Sequence, residues 1–124
     1  MNEKGPLVSI VDDDESVRES LPDLLREFGY RVEAFSSAER FLASGDEVGT
    51  SCLILDIAMP GMTGTELLRN LRDRGQPVPI IFITAHRDEF VRQGLMADGA
   101  VDCLYKPFSD AALQTALAKA IPSV

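Results

Sequence analysis

No apolar run in this sequence approaches the roughly 20 residues that a membrane-spanning helix requires, which argues against a bilayer segment of that kind. The opening stretch MNEKGPLVSIVDDD has no leader architecture, because acidic residues arrive before any long apolar stretch. Basic residues are few: 12 Lys and Arg stand against 20 Asp and Glu, for a net charge of −8. They form no cluster that would track a phosphate backbone, so direct nucleic-acid binding by this chain is not expected. Cysteine is scarce as well. Cys52 and Cys103 lie far apart inside apolar runs, without metal-type spacing, and read as two buried, reduced thiols. Internal repeats and low-complexity segments are absent. What remains is a soluble, cytoplasmic protein whose 124 residues fit one domain and can bury a single core.

What is present is a regular alternation of short apolar runs with longer amphipathic stretches, the pattern of repeated βα units. Leu7 to Val11 ends abruptly in Asp12, Asp13 and Asp14. Glu15 to Phe28 places Val17, Leu21, Leu24, Leu25 and Phe28 on one helical face, with Gly29 as its stop. Pro22 falls inside that helix, where a proline costs about 3 kcal/mol. Tyr30 to Phe35 alternates apolar and charged residues and suits an edge strand. Ser36-Ser37-Ala38-Glu39 reads as a capping box opening a short helix, with Gly45 to Ser51 a loop. Cys52 to Leu55 and Ile80 to Ile83 are continuously apolar, as strands buried on both faces must be, and end at Asp56 and Thr84. Thr63-Gly64-Thr65-Glu66 is a second capping box. A helix is expected from about Asp88 to Ala97, a strand from Ala100 to Tyr105, and a last helix capped by Ser109 or Asp110.

Five strands, each followed by a helix, imply a parallel sheet with right-handed crossovers. With the alternating second strand at an edge, the order is 2-1-3-4-5, a flavodoxin-like doubly wound α/β fold with helices on both faces. Ligands of such sheets bind beyond the carboxyl ends of the strands, at the point where strand order reverses. Here Asp12, Asp13 and Asp56 converge on that crevice, with Thr84 and Lys106 on the same rim. A single Asp after a strand is as readily a helix cap, and Asp14 is expected to be one. Three together repel one another unless a cation intervenes, and Mg²⁺ suits an oxygen-only donor set. Asp56 is the natural nucleophile for an acyl phosphate, with Lys106 and the Thr84 hydroxyl on the phosphoryl oxygens.

These pieces resemble the response-regulator receiver family over essentially the whole chain. The matching stretches are Ile10-Val11-Asp12-Asp13-Asp14, Leu53 to Met62, Ile83-Thr84-Ala85 and Tyr105-Lys106-Pro107-Phe108. Gly99-Ala100-Val101-Asp102 ahead of Lys106-Pro107-Phe108 is similar to FixJ-like receivers of LuxR-type transcription regulators. The resemblance implies phosphorylation at Asp56 by a sensor histidine kinase. It also implies Mg²⁺ bound by Asp13 and Asp56, by the Ala58 carbonyl and, through water, by Asp12. Thr84 and Lys106 would hold the phosphoryl group, the Lys106-Pro107 bond would be cis, and phosphorylation and dephosphorylation would be self-catalysed, without a classical enzyme activity. Phosphorylation would bias the face formed by the fourth helix, fifth strand and fifth helix toward a partner or a dimer. The chain departs from the pattern at Cys103, where many receivers carry an aromatic switch residue. Tyr105 shares its strand parity, while Ala58 and His86 occupy positions that tune phosphoryl lifetime.

Two other readings are open to the sequence. Asp12 and Asp14 form a D-x-D pair, as in haloacid-dehalogenase-like phosphatases, which would make Asp12 the nucleophile; that family usually has a longer chain with a cap. A docking module without phosphotransfer would not need the full acidic set. Pro122, in Ile121-Pro122-Ser123-Val124, reads as a linker start, consistent with a receiver piece of a longer transcription regulator carrying a DNA-binding output domain.

Overall fold

A computed structural model describes residues 5–122. The expectations resting on residues 1–4 (no leader) and on Ser123 and Val124 (a linker) lie outside these residues. The elements alternate strictly: β1 (Leu7–Val11), α1 (Glu15–Glu27), β2 (Arg31–Phe35), α2 (Ala38–Ser44), β3 (Thr50–Asp56), α3 (Gly64–Asp73), β4 (Ile80–Thr84), α4 (Glu89–Ala97), β5 (Asp102–Tyr105) and α5 (Asp110–Ala120). All neighbouring strands pair in parallel, in the order β2-β1-β3-β4-β5. Among the described residues no helix is long and apolar enough to cross a membrane.

The two-residue period of the strands divides the core. Val8 and Ile10 of β1, Cys52 and Ile54 of β3, and Ile81 and Ile83 of β4 face α1 and α5, meeting Leu21, Leu25, Leu113 and Leu117. Val11, Leu53, Leu55, Ile80 and Phe82 point the other way, onto Phe41, Leu67, Leu71 and Leu95 of α2, α3 and α4. Each such side chain contributes about 1.5–3 kcal/mol when fully buried, so apolar residues along both faces of β1, β3 and β4 fix those strands in the interior. No residue of β2 is buried, as an edge strand allows. Within buried β1, the Ser9 hydroxyl lies 2.7 Å from that of Thr50, which also donates to the Asp46 carbonyl, so neither is left unpaired.

Helix ends follow local chemistry. Asp14 caps α1 by accepting from the Ser16 amide, Ser109 caps α5, and Thr63 with Glu66 makes the reciprocal capping box of α3. After α1, Gly29 takes φ +100° and donates to Arg26 O while Tyr30 N–H reaches Leu25 O, a Schellman stop. Pro22 stays inside an unbroken α1 with its ring buried. Apolar burial there offsets the missing amide that the Arg18 carbonyl would otherwise meet.

Four boundaries differ from the sequence reading. The cap of α2 is Ser37, which accepts from Arg40 N–H, and Glu39 reaches outward instead to accept from Met62 N–H at 3.0 Å. The stretch from Gly45 to Ser51 is not a plain loop: Asp46–Val48 forms a 3₁₀ turn and β3 already begins at Thr50, where pairing with Leu7 extends the ladder. β2 begins one residue late because Tyr30 N–H is spent on the Schellman bond. β5 begins at Asp102 because Ala100 N–H closes α4 by donating to Leu95 O.

Candidate functional site

The carboxyl ends of β1 and β3 place Asp12, Asp13 and Asp56 side by side, with one carboxylate oxygen from each lying within 4.8 Å of the others. Asp12 is fully buried, Asp56 nearly so, and Asp13 exposed. Asp12 has both oxygens engaged: one accepts from Asp14 N–H at 2.9 Å and the other from Lys106 Nζ at 2.9 Å. Its own carbonyl accepts from Arg18 Nη1. Lys106 is therefore delivered from the end of β5 into the acidic crevice, and its amide is tied to the Thr84 carbonyl at 2.8 Å. The Lys106-Pro107 bond is cis, as the family resemblance implied.

This surrounding sets the protonation of the site. Burial, then the charge of Asp12, raise the Asp56 carboxyl to about 7, although Lys106 pulls the other way. Burial alone would lower the Lys106 ammonium, but the hydrogen bond to Asp12 and the charge of Asp56 outweigh it, and the net shift is upward. Ser16 holds the exposed Asp14 carboxyl below its ordinary value, in keeping with a cap rather than a reacting group. The donor set is hard oxygen throughout, and a neutralising cation would relieve the repulsion that lifts Asp56; both fit a divalent ion such as Mg²⁺.

Thr84 ends β4, one residue beyond Ile83, which is in register with Asp56. It is buried, and its Oγ1 accepts from His86 N–H at 3.1 Å. The positions expected to tune or switch the site (Ala58, His86, Cys103 and Tyr105) join Thr84 around one small cavity of about 140 Å³. Ala58 and His86 are exposed there, whereas Cys103 is buried. Both cysteines are free and buried, and burial pushes the Cys103 thiol up and that of Cys52 to about 12, which favours the thiol over the thiolate. Tyr105 stands with Arg87 over its ring at 5.0 Å and its hydroxyl donating to Glu89 at 3.3 Å.

Several contributors were not singled out from the sequence. Arg92 on α4 donates to the Cys103 carbonyl and pairs with Asp102 at 3.1 Å, fastening α4 to β5. These partners lie 10 and 11 positions away on another element, so no helical spacing marks them in the sequence. Glu39 fits a capping spacing in the sequence but in the fold holds the β3–α3 loop through Met62 N–H. Gly64 packs against the backbone behind Asp56: a Cβ there would lie 2.4 Å from the Asp56 carbonyl oxygen and 3.1 Å from Ile57 Cα. Because backbone cannot swing aside as a side chain can, Gly64→Ala should lower stability by about 1–3 kcal/mol. A urea unfolding series checks this; an unchanged midpoint would mean that the loop yields freely.

Comparison with known proteins agrees with this geometry. A family model described as the response regulator receiver domain matches residues 8–118. The response regulator protein TmoT of Ectopseudomonas mendocina is 40% identical over 121 residues, covering 98% of this chain and 55% of that protein. The transcriptional regulatory protein FixJ of Rhizobium meliloti is 44% identical over 113 residues, covering 91% of this chain and 55% of that one. A crystal structure of FixJ-N superposes with a TM-score of 0.84 at 40% identity, covering 98% and 99% of the two chains. The chain thus spans about half the length of the curated relatives it matches.

Proposed function

This chain belongs to the response regulator receiver family, and from that premise we propose that Asp56 accepts a phosphoryl group from the phosphohistidine of a sensor histidine kinase. The observation that carries the reading is the packing of three carboxylates within 4.8 Å against a single inserted ammonium. Such a cluster favours a divalent cation and, after it, the oxygens of a phosphoryl group.

Asp13 and Asp56, with the Ala58 carbonyl, would hold Mg²⁺ directly; Asp12, its oxygens already accepting, would act through water. When bound, Mg²⁺ neutralises charge on the phosphoryl oxygens. A carboxylate oxygen of Asp56 attacks phosphorus in line as the bond from phosphorus to the imidazole nitrogen breaks. The imidazole keeps that electron pair as the leaving group. Lys106 turns from Asp12 toward a phosphoryl oxygen. Thr84, whose Oγ1 already accepts from His86 N–H, has its own hydroxyl proton to donate to another.

The same reading makes the module a switch. A phosphoryl group drawing on Thr84 and Lys106 biases the ends of β4 and β5, and Arg92 carries that bias into α4. The output is a changed affinity for a partner or a second copy across the α4–β5–α5 face. In a longer regulator of the kind its relatives represent, that face would govern a DNA-binding domain, in the cytoplasm where the kinase acts.

Incubation with acetyl phosphate, with and without Mg²⁺, tests the proposal by intact mass. The expected result is a Mg²⁺-dependent gain of one phosphoryl group that is absent from Asp56→Asn. A folded protein that gains no mass and also fails to bind beryllofluoride would leave only a receiver-shaped docking module.

A further inference from the structure

Arg18 stands one turn into α1, and its Nη1 donates to the Asp12 carbonyl at 2.9 Å. In a chain with 20 acidic residues, this guanidinium makes no ion pair among the described residues. The start of a helix favours acidic side chains, so helix energetics give no reason for an arginine there. It also lines an open groove in which the other charged residue is Arg40, of the same sign. The contact that accounts for its placement is the bond to Asp12. That carbonyl belongs to the peptide joining Asp12 to Asp13. On the far side of Asp13, the Asp14 N–H donates to Asp12 Oδ1 at 2.9 Å, while the Asp12 N–H is tied to the Phe35 carbonyl at 3.1 Å. The two peptide units flanking Asp13 are thus each held by one bond, and Arg18 supplies the first. Asp13 itself is exposed, so its carboxylate takes its direction from that backbone rather than from packing.

We propose that Arg18 is a positioning residue for the cation site: it fixes the Asp12–Asp13 peptide so that Asp13 faces Asp56, and thereby sets the affinity for Mg²⁺. The inference rests on the proposed ligand set of Asp13, Asp56 and the Ala58 carbonyl. Groups that orient a metal ligand from behind typically govern affinity by about 10- to 100-fold. Arg18 acts on a cation in two opposing ways. Its positive charge repels the ion, so loss of the charge alone would tighten binding. Loss of the hydrogen bond frees Asp13 and weakens binding. The sign of the change therefore separates positioning from simple charge.

Mg²⁺ titrations of the ¹⁵N-labelled wild type and Arg18→Met, followed through the amide shifts of Asp13, Asp14 and Ala58, provide the test. Arg18→Met should bind Mg²⁺ about tenfold more weakly. Phosphoryl uptake from acetyl phosphate should then need about tenfold more Mg²⁺ to reach half its maximal rate, while the rate at saturation stays within about twofold. General damage to the fold would lower the saturated rate too, so the split marks positioning. If Arg18→Met does not fold, Arg18→Gln, whose amide is too short to reach the carbonyl, is read in the same way. Affinity equal to or above that of the wild type, or a saturated rate that falls as far as the affinity, would overturn the inference and leave the Mg²⁺ site standing. A wild type that takes up no Mg²⁺ would instead sink the cation site, and this inference with it.

Discussion

In metal-free buffer at pH 8, Asp56→Asn should melt about 5–10 °C above the wild type while taking up no phosphoryl group. The Asp56 carboxyl sits at about 7 in the folded protein against 3.8 ordinarily, first through burial and then through Asp12. Below pH 3.8 both folded and unfolded states are protonated and the group has no effect. As pH rises toward 7 the unfolded chain ionises while the folded one keeps its proton, so stability falls. Above 7 the full penalty stands. At about 1.4 kcal/mol per pH unit the upper bound is roughly 4 kcal/mol, and partial solvation of the crevice reduces it to on the order of 2 kcal/mol. Asparagine is nearly isosteric and carries no charge, so the penalty disappears. Melting curves at pH 5 and pH 8 in a chelator check the sign: the difference should shrink at pH 5. Saturating Mg²⁺ should raise the wild type far more than the variant. A variant that melts level with or below the wild type at pH 8 would contradict the electrostatic account, even if phosphoryl uptake were lost.

Lys106→Met should have the opposite effect, lowering stability by about 3 kcal/mol in metal-free buffer near neutral pH. Its side chain is 20% exposed, but the Asp12 side chain that it meets at 2.9 Å is fully buried. Removing one partner of such a pair leaves the other charge without compensation, which costs more than the pair itself contributes. Methionine preserves most of the aliphatic stem, so the loss reports on the charge rather than on packing. Two readings follow from one set of urea titrations. Without metal, the unfolding midpoint drops; with saturating Mg²⁺, much of the deficit returns, because a second cation takes over part of the neutralisation. The variant should also bind Mg²⁺ more tightly than the wild type, since no ammonium competes for the carboxylates. A loss below about 0.5 kcal/mol, typical of exposed pairs, would mean that the contact is idle.

Most of the fold was readable because its strands differ in character. The apolar runs Leu7–Val11, interrupted only by Ser9, and Ile80–Ile83, followed by Thr84, suit burial on both sides, while Arg31–Phe35 carries charges that suit an edge. That contrast, with the crossover rules, determines the strand order. The site was legible for the same reason: Asp12, Asp56 and Thr84 stand where apolar runs stop. What sequence pattern missed were contacts between distant segments. Glu39 satisfies a capping spacing but bonds Met62, because the β3–α3 loop brings an unpaired amide within reach. Arg92 sits among exposed residues, and only the folded position of β5 supplies its carbonyl and carboxylate partners. The convergence of Ala58, His86, Cys103 and Tyr105 on one cavity likewise depends on how two loops, after β3 and β4, fold against β5.

The Lys106–Asp12 contact joins residues 94 positions apart. It bridges the end of the first strand and the end of the last, so closing it requires nearly the whole chain to be in place already. Loop-closure entropy delays contacts of this range, and parallel pairing is slow to assemble for the same reason. The pair therefore belongs to the last stage of assembly, after the sheet centred on β1, β3 and β4 has formed. Its influence falls on how long the native state survives rather than on how fast it is reached: Lys106→Met should leave the refolding limb of a chevron nearly unmoved and steepen the rate of escape.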